Sequence, residues 1–183
     1  MKICLYAAGS KKIKEKYIKE AITLGHTIAK HEHTLIFGAG SNGIMATVAD
    51  KVKEKSGEVI GITPEWMKDF EQPYQDCDEI IYTKNMQQRK EELLKRSDAI
   101  IVMPGGIGTL DEFFEVLTLK KLKKHDKAIV LYNCQNYYDT LIEMINFMTE
   151  EGVIQEEDNK LYKITNTADE TLNYIENYWK NKK

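Results

Sequence analysis

The sequence predicts an α/β fold: a single domain spanning residues 1–183, a parallel β-sheet with helices on both faces. Three observations predict it. Short apolar runs alternate with amphipathic runs of helical spacing, the pattern of successive βαβ units. Two strand candidates, 99–103 and 128–132, are apolar throughout, as expected of strands covered on both sides. Two glycine-rich turns, at 38–43 and 105–108, each lie between a strand and a helix. Sheets of this kind bind ligands beyond the carboxyl ends of their strands.

The elements follow in order. Residues 3–8 form a first strand. Residues 13–31 place Ile13, Tyr17, Ile18, Ala21, Ile22 and Leu24 at helical spacing. Residues 34–37 are a second strand ending at Gly38, and 44–55 a helix opened by the first glycine turn. Residues 58–63 are a third strand, with Pro64 as its stop. Residues 64–78 read as polar and irregular, carrying Trp66, Phe70, Pro73 and Tyr74. A strand at 79–83, a helix at 85–96, the strand 99–103 and a helix at 109–124 come next. The strand 128–132, a helix at 137–150, a short strand at 161–164 and a helix at 168–179 complete the order. The lysine- and asparagine-rich tail is expected to fray. No domain-sized repeat or low-complexity linker interrupts the chain.

Composition excludes several function classes. Lys and Arg number 26 against 29 Asp and Glu, a net charge of -3, and the lysines are interspersed with acids. That balance argues against a nucleic-acid partner. The three cysteines, Cys4, Cys77 and Cys134, are odd in number and far apart, with no CxxC or Cys/His ligand spacing. They read as reduced thiols of a cytoplasmic chain, and no metal site is expected. The apolar run at the start is too short for a signal peptide, and no run approaches the ~18 residues of a membrane span. Neither secretion nor a membrane partner is expected.

Three segments could carry chemistry. Gly38-Ala39-Gly40-Ser41-Asn42-Gly43 matches GxGxxG between a strand and a helix, which invites a dinucleotide reading. The ribose-binding acid of that reading should end the next strand, roughly 20 residues on. That strand ends Gly61-Ile62-Thr63, and Glu65 arrives only after Pro64. A loop for one phosphate or a ribose fits as well, and so does a tight turn with no ligand. In Pro104-Gly105-Gly106-Ile107-Gly108-Thr109, three glycines leave backbone N–H groups bare at a helix start. Thr109 can be an N-cap or early helix residue whose hydroxyl reaches a phosphate. No lysine follows Gly108, so this is not a Walker loop. Asp111 suits the helix dipole. Glu112 could close a capping box with Thr109 or point into the ligand cleft. One helical turn, ~5.4 Å, would let phosphate sit on the loop while a carboxylate meets another part of the ligand. In Asn85–Lys90, Arg89 and Lys90 could hold phosphate or belong to a solvated helix face.

Together these stretches resemble one family. PGGIGTLDE at 104–112 resembles PGGxGTxxE, GAGSNGIM at 38–45 resembles GGGxxGxM, and MQQRK at 86–90 resembles MxxRK. KICLYAAGS, HDKAIVLYN at 125–133, YYDTLI at 137–142 and EEGVI at 150–154 follow the same course. The family is the LONELY GUY type of cytokinin riboside 5′-monophosphate phosphoribohydrolase, whose members are often mislabelled lysine decarboxylases. The resemblance covers most of residues 2–155. It implies a Rossmann-like homodimer that hydrolyses the N-glycosidic bond of a purine nucleoside 5′-monophosphate to free base and ribose 5-phosphate. It implies no metal and no organic cofactor. It implies Arg89 and Glu112 as the catalytic pair. The substrate-binding positions it implies are Lys90, Gly105, Gly106, Gly108, Thr109 and Thr118, with Gly40, Gly43, Ser10 and Met86. Ala39, Ala46, the Ala7-Ala8-Gly9-Ser10 turn and the lysine-rich Leu119–Lys124 segment depart from the family pattern. These departures bear on base specificity more than on catalysis.

Such a reaction builds positive charge at the anomeric carbon, where a carboxylate is stabilising. Glu112 would serve there and orient the water, while the loop and Lys90 anchor phosphate. Arg89 would hold Glu112 ionised. No donor for the leaving base is readable. The main alternative is a non-catalytic module that carries a nucleotide or molybdenum cofactor. An NAD-dependent oxidoreductase lacks its ribose-binding acid. A literal lysine decarboxylase would carry pyridoxal phosphate on a lysine, and no such site is readable.

Overall fold

Alternate side chains of each central strand enter two separate apolar layers, and this decides where the helices go. The computed structural model describes residues 1–182. Its strands are β1 (Lys2–Tyr6), β2 (Thr34–Phe37), β3 (Val59–Pro64), β4 (Glu79–Thr83), β5 (Ala99–Val102), β6 (Ala128–Tyr132) and β7 (Lys163–Thr165). All neighbours pair in parallel, in the order β4-β3-β2-β1-β5-β6-β7. The helices are α1 (Glu15–Lys30), α2 (Gly43–Lys53), α3 (Met86–Arg96), α4 (Ile107–Lys121), α5 (Asp139–Glu150) and α6 (Ala168–Lys180). Ile3, Leu5, Phe37 and Ile101 pack with Leu24 of α1, Val48 of α2 and Leu172 of α6. Cys4, Tyr6, Ile36 and Ile100 pack with Leu93 of α3, Phe113 of α4 and Ile145 of α5. Three helices therefore cover each face, the Rossmann-like arrangement the sequence predicts.

The strand order reverses between β1 and β5. Connections leave these two neighbours in opposite directions, and a crevice opens beyond their carboxyl ends. β1 stops at Tyr6, before the expected end at residue 8, because Ala7 and Ala8 turn into that crevice. There the Ala8 N–H donates to the Pro104 carbonyl at 3.0 Å, and the Ala8 carbonyl accepts from the Met45 N–H at 3.3 Å.

Other boundaries also move. α4 begins at Ile107 with Gly106 as its N-cap, so Thr109 is the third helical residue. A Thr109–Glu112 capping box is thereby ruled out. Residues 64–78 are not wholly irregular: Glu65–Asp69 form a 3₁₀ turn. β7 starts at Lys163, two residues later than expected, because Tyr162 turns inward, edge-on to Phe113 at 5.6 Å. The expected frayed tail falls partly on Lys183, outside the described residues.

Candidate active site

The crevice holds a cavity of about 300 Å³, walled by the turns after β1 and β5 and by the starts of α2, α3 and α4. It brings together Ser10, Met86, Arg89, Gly106, Gly108, Thr109 and Glu112 of the sequence-predicted residues, with Asp111 beside them.

Arg89 lies across the carboxyl ends of β2 and β3 and reaches the first turns of α4. Its Nε donates to the Ile62 carbonyl at 3.1 Å, Nη2 to the Gly38 carbonyl at 3.4 Å, and Nη1 to Glu112 Oε1 at 3.1 Å. Gly38 makes this possible: a Cβ there would lie 1.7 Å from Arg89 Nη2. The glycine that ends β2 thus makes room for the guanidinium.

Glu112 sits almost fully enclosed at the other side of the pair, its side chain 10% exposed. Burial pushes its carboxyl from the ordinary 4.5 up to about 7, helped by the charge of Asp111, while Arg89 and Lys90 pull it down. The expectation that Arg89 holds Glu112 ionised is therefore corrected. Desolvation outweighs the guanidinium, and the group titrates near neutrality.

Lys90 does not itself line the cavity. It is held by Asp111 at 3.0 Å and by a close contact with Glu115. These carboxylates raise its pKa, the Glu115 hydrogen bond most strongly. Their presence near an anion site thus has a local reason: they engage the lysine and tie α3 to α4.

The three glycines of the second loop do different work. A Cβ on Gly105 would strike Thr109 Oγ1 at 2.1 Å, so that glycine is needed for packing. A Cβ on Gly106 or Gly108 would meet nothing within 4 Å, and neither residue has a positive φ. The chain's own packing requires neither glycine. What they leave is open space and bare amides at the N-terminus of α4, suited to an anion. The strand exit is fixed from below by Tyr138 Oη, which donates to the Met103 carbonyl at 2.6 Å, and by Tyr137 Oη, which donates to the Gly105 carbonyl at 2.8 Å.

The first loop is occupied from within. Ser41 N–H, Ser41 Oγ and Asn42 Nδ2 all donate to Glu71 Oε1, at 3.2, 2.8 and 2.6 Å. Gly40 makes room for the Met45 side chain. Gly43, at φ +66°, lets the backbone pass the Ala8 and Ser10 carbonyls, each 2.7 Å from where its Cβ would be. Neither glycine lines the cavity. Ala39, in place of the family's glycine, is buried at φ +56°. Thr118 lies apart, in an apolar cavity of about 170 Å³ with Phe114, Ile145 and Tyr162.

Sequence reasoning missed Ala7, Ala8, Gly9 and Met45 as walls, and it gave no sign that Gly38 makes room for Arg89. Only the register of β1 against β5 could have revealed the walls.

Comparisons with known proteins bear on this site. A family model described as "Possible lysine decarboxylase" matches residues 45–175. Cytokinin riboside 5′-monophosphate phosphoribohydrolase LOG3 of Arabidopsis thaliana is 35% identical over 177 residues, covering 97% of this chain and 82% of that protein. LOG4 of the same plant, with the same activity in its name, is 34% identical over the same shares. Among solved structures, the molybdenum cofactor carrier protein of Chlamydomonas reinhardtii superposes with a TM-score of 0.74 at 22% identity, covering 97% of each chain. A likeness at that identity shows the fold alone.

Proposed function

This chain belongs to the LONELY GUY family of cytokinin riboside 5′-monophosphate phosphoribohydrolases, and from that premise we propose that its crevice hydrolyses the N-glycosidic bond of purine nucleoside 5′-monophosphates to free base and ribose 5-phosphate. The observation that carries this reading is the enclosed Arg89–Glu112 pair, 3.1 Å apart, beside two glycines that pack against nothing. The 5′-phosphate would take the amides at the start of α4, from Gly106 to Thr109. The sugar would then extend about one helical turn, ~5.4 Å, toward Glu112.

Bond cleavage leaves an oxocarbenium-like centre at the anomeric carbon, and the enclosed Glu112 carboxylate would oppose that charge. Water adds to the anomeric carbon as its bond to the base nitrogen breaks. Overall, one proton moves from the water to the base. A carboxyl titrating near 7 suits that relay, because it can accept and release a proton at neutral pH. Arg89 holds the Glu112 oxygen in place. Lys90 enters this reading through Asp111 and Glu115, as a tie between helices.

A carrier of the same fold would have no use for an enclosed carboxylate at the sugar. The test incubates the protein with AMP and with N6-isopentenyl-AMP and chromatographs the products for free base. Base released from either nucleotide supports the hydrolase. Nucleotide bound without release moves the assignment to a carrier.

We also read the chain as a cytoplasmic homodimer. Phe114 of α4 and Met144 and Phe147 of α5, on one face of the sheet, are exposed apolar side chains that a second copy could cover. The unpaired cysteines favour a reducing compartment. No helix among the described residues is long and apolar enough to cross a membrane. Sedimentation should give twice the 21.2 kDa chain mass; a single-chain mass would refute the dimer.

A further inference from the structure

A second polar cluster lies at the amino-end edge of the sheet, opposite the crevice. His31 caps the C-terminus of α1, His33 precedes β2, and Glu176 comes from α6. His31 Nδ1 is 2.7 Å from Glu176 Oε1, and His33 Nε2 is 3.1 Å from the same oxygen. Between the histidines, Glu32 has φ +54°, a left-handed conformation that strains a non-glycine residue. That turn brings both rings, with centroids 6.1 Å apart, onto one carboxylate. All three side chains are mostly enclosed, with exposures of 24%, 9% and 24%.

We propose that His31, His33 and Glu176 form a binding site for a divalent transition-metal ion of the zinc, nickel and copper class. Two imidazoles and a carboxylate are the donor set these ions favour, with solvent free to complete the coordination. Their candidate ligand atoms all lie within 4.8 Å of one another. In a tetrahedral site with bonds of ~2.1 Å, ligand atoms stand roughly 3.4 Å apart. The observed separations from the carboxylate oxygen need to open by less than ~1 Å to reach that spacing.

In the metal-free arrangement Glu176 accepts hydrogen bonds from the two imidazoles. An ion takes the place of those protons, and each neutral ring then carries its single proton on its other nitrogen. In the metal-free arrangement His33 Nδ1 accepts from the Met1 ammonium at 3.4 Å, and that contact ends when Nδ1 takes up the ring proton. The sequence gives no sign of this site, because Glu176 lies 143 positions from His33. An ion here joins α1, the start of β2 and α6, and its effect falls on stability while base release continues.

The test uses the full chain without a polyhistidine tag, stripped with EDTA and titrated with zinc chloride. Calorimetry should show one equivalent bound with a dissociation constant at or below about 10 µM. The melting temperature should rise, and both effects should vanish in Glu176→Gln and in His33→Gln. A second measurement needs no variant. Zinc should protect His31 of the unsubstituted protein from diethyl pyrocarbonate, read by mass spectrometry, while half-exposed His26 labels as before. The proposal is overturned by no saturable binding below roughly 100 µM zinc, by binding that persists in both variants, or by zinc leaving His31 as reactive as before. Base release from AMP should be the same with and without zinc, so failure here leaves the hydrolase reading untouched.

Discussion

Glu112 is kept where its negative charge is unfavourable, and two measurements should reveal it. Its folded-state pKa of about 7 lies above the ordinary 4.5. The carboxyl's contribution to stability is therefore fully present below pH 4.5 and is lost as pH rises to about 7. A shift of that size corresponds to at most about 3.5 kcal/mol, and loss of the Arg89 contact offsets part of it. Glu112→Gln should then be about 1–2 kcal/mol more stable than the parent at pH 8, with the gap closing toward pH 5, as denaturant unfolding would show. The same variant should lose at least ~10²-fold in kcat for base release. In the parent, kcat/KM should rise with pH through about 7, because the ionised carboxylate opposes the developing cation. A flat profile from pH 5 to 9 would remove Glu112 from the chemistry. Gly108 gives the complementary case. It occupies the second position of α4 with nothing near its missing Cβ. Gly108→Ala should raise stability by ~0.5–1 kcal/mol, as alanine does in helices, yet raise KM at least ~10-fold by crowding the phosphate. Unchanged KM would place the phosphate elsewhere. At this scale the motif made Arg89 and Glu112 legible. Their titration was not, since it follows from enclosure by residues distant in sequence.

At the scale of elements, strands and helices were readable from periodicity, while the use of each turn was not. GxGxxG at 38–43 was legible as a strand-to-helix turn. Its polar groups are nonetheless taken by Glu71, 30 positions beyond Ser41, and the first of its glycines serves α3. No local pattern announces a carboxylate that returns from an irregular segment. α4 shows the same limit: Thr109 suggested the helix start, but the backbone caps three residues earlier, on Gly106. The consequence is testable at the end of β2. Gly38→Ala would put a methyl where the Arg89 guanidinium lies and would leave the strand's pairing intact. Unfolding should shift by only about 1–2 kcal/mol, whereas kcat should fall ~10- to 100-fold because the Arg89–Glu112 contact is displaced. If activity and stability instead fall in proportion, the glycine serves the fold alone.

For the whole molecule, the parallel order places three distant stretches at one crevice. The turn after β1, the start of α3 and the loop into α4 meet only because β1 and β5 are neighbours at the reversal of strand order. The alternation of elements made the sheet predictable, but strand order depends on long-range pairing that a local pattern does not encode. Hydrogen exchange can test the arrangement as one unit. Glu112→Gln should still bind AMP without cleaving it. With AMP present, amides of 7–10, 86–89 and 104–112 should exchange more slowly together, although nearly a hundred residues separate the first stretch from the last. Amides of 31–34 and 172–176, at the opposite edge, should be unaffected. The 38–43 loop is the discriminating segment. Its donors already meet Glu71, so a nucleotide seated on the second loop leaves its exchange unchanged. Strong protection of 38–43 with none at 104–112 would mean that Glu71 yields to the phosphate and that the substrate lies reversed in the crevice, with Glu112 too far from the anomeric carbon to act on it.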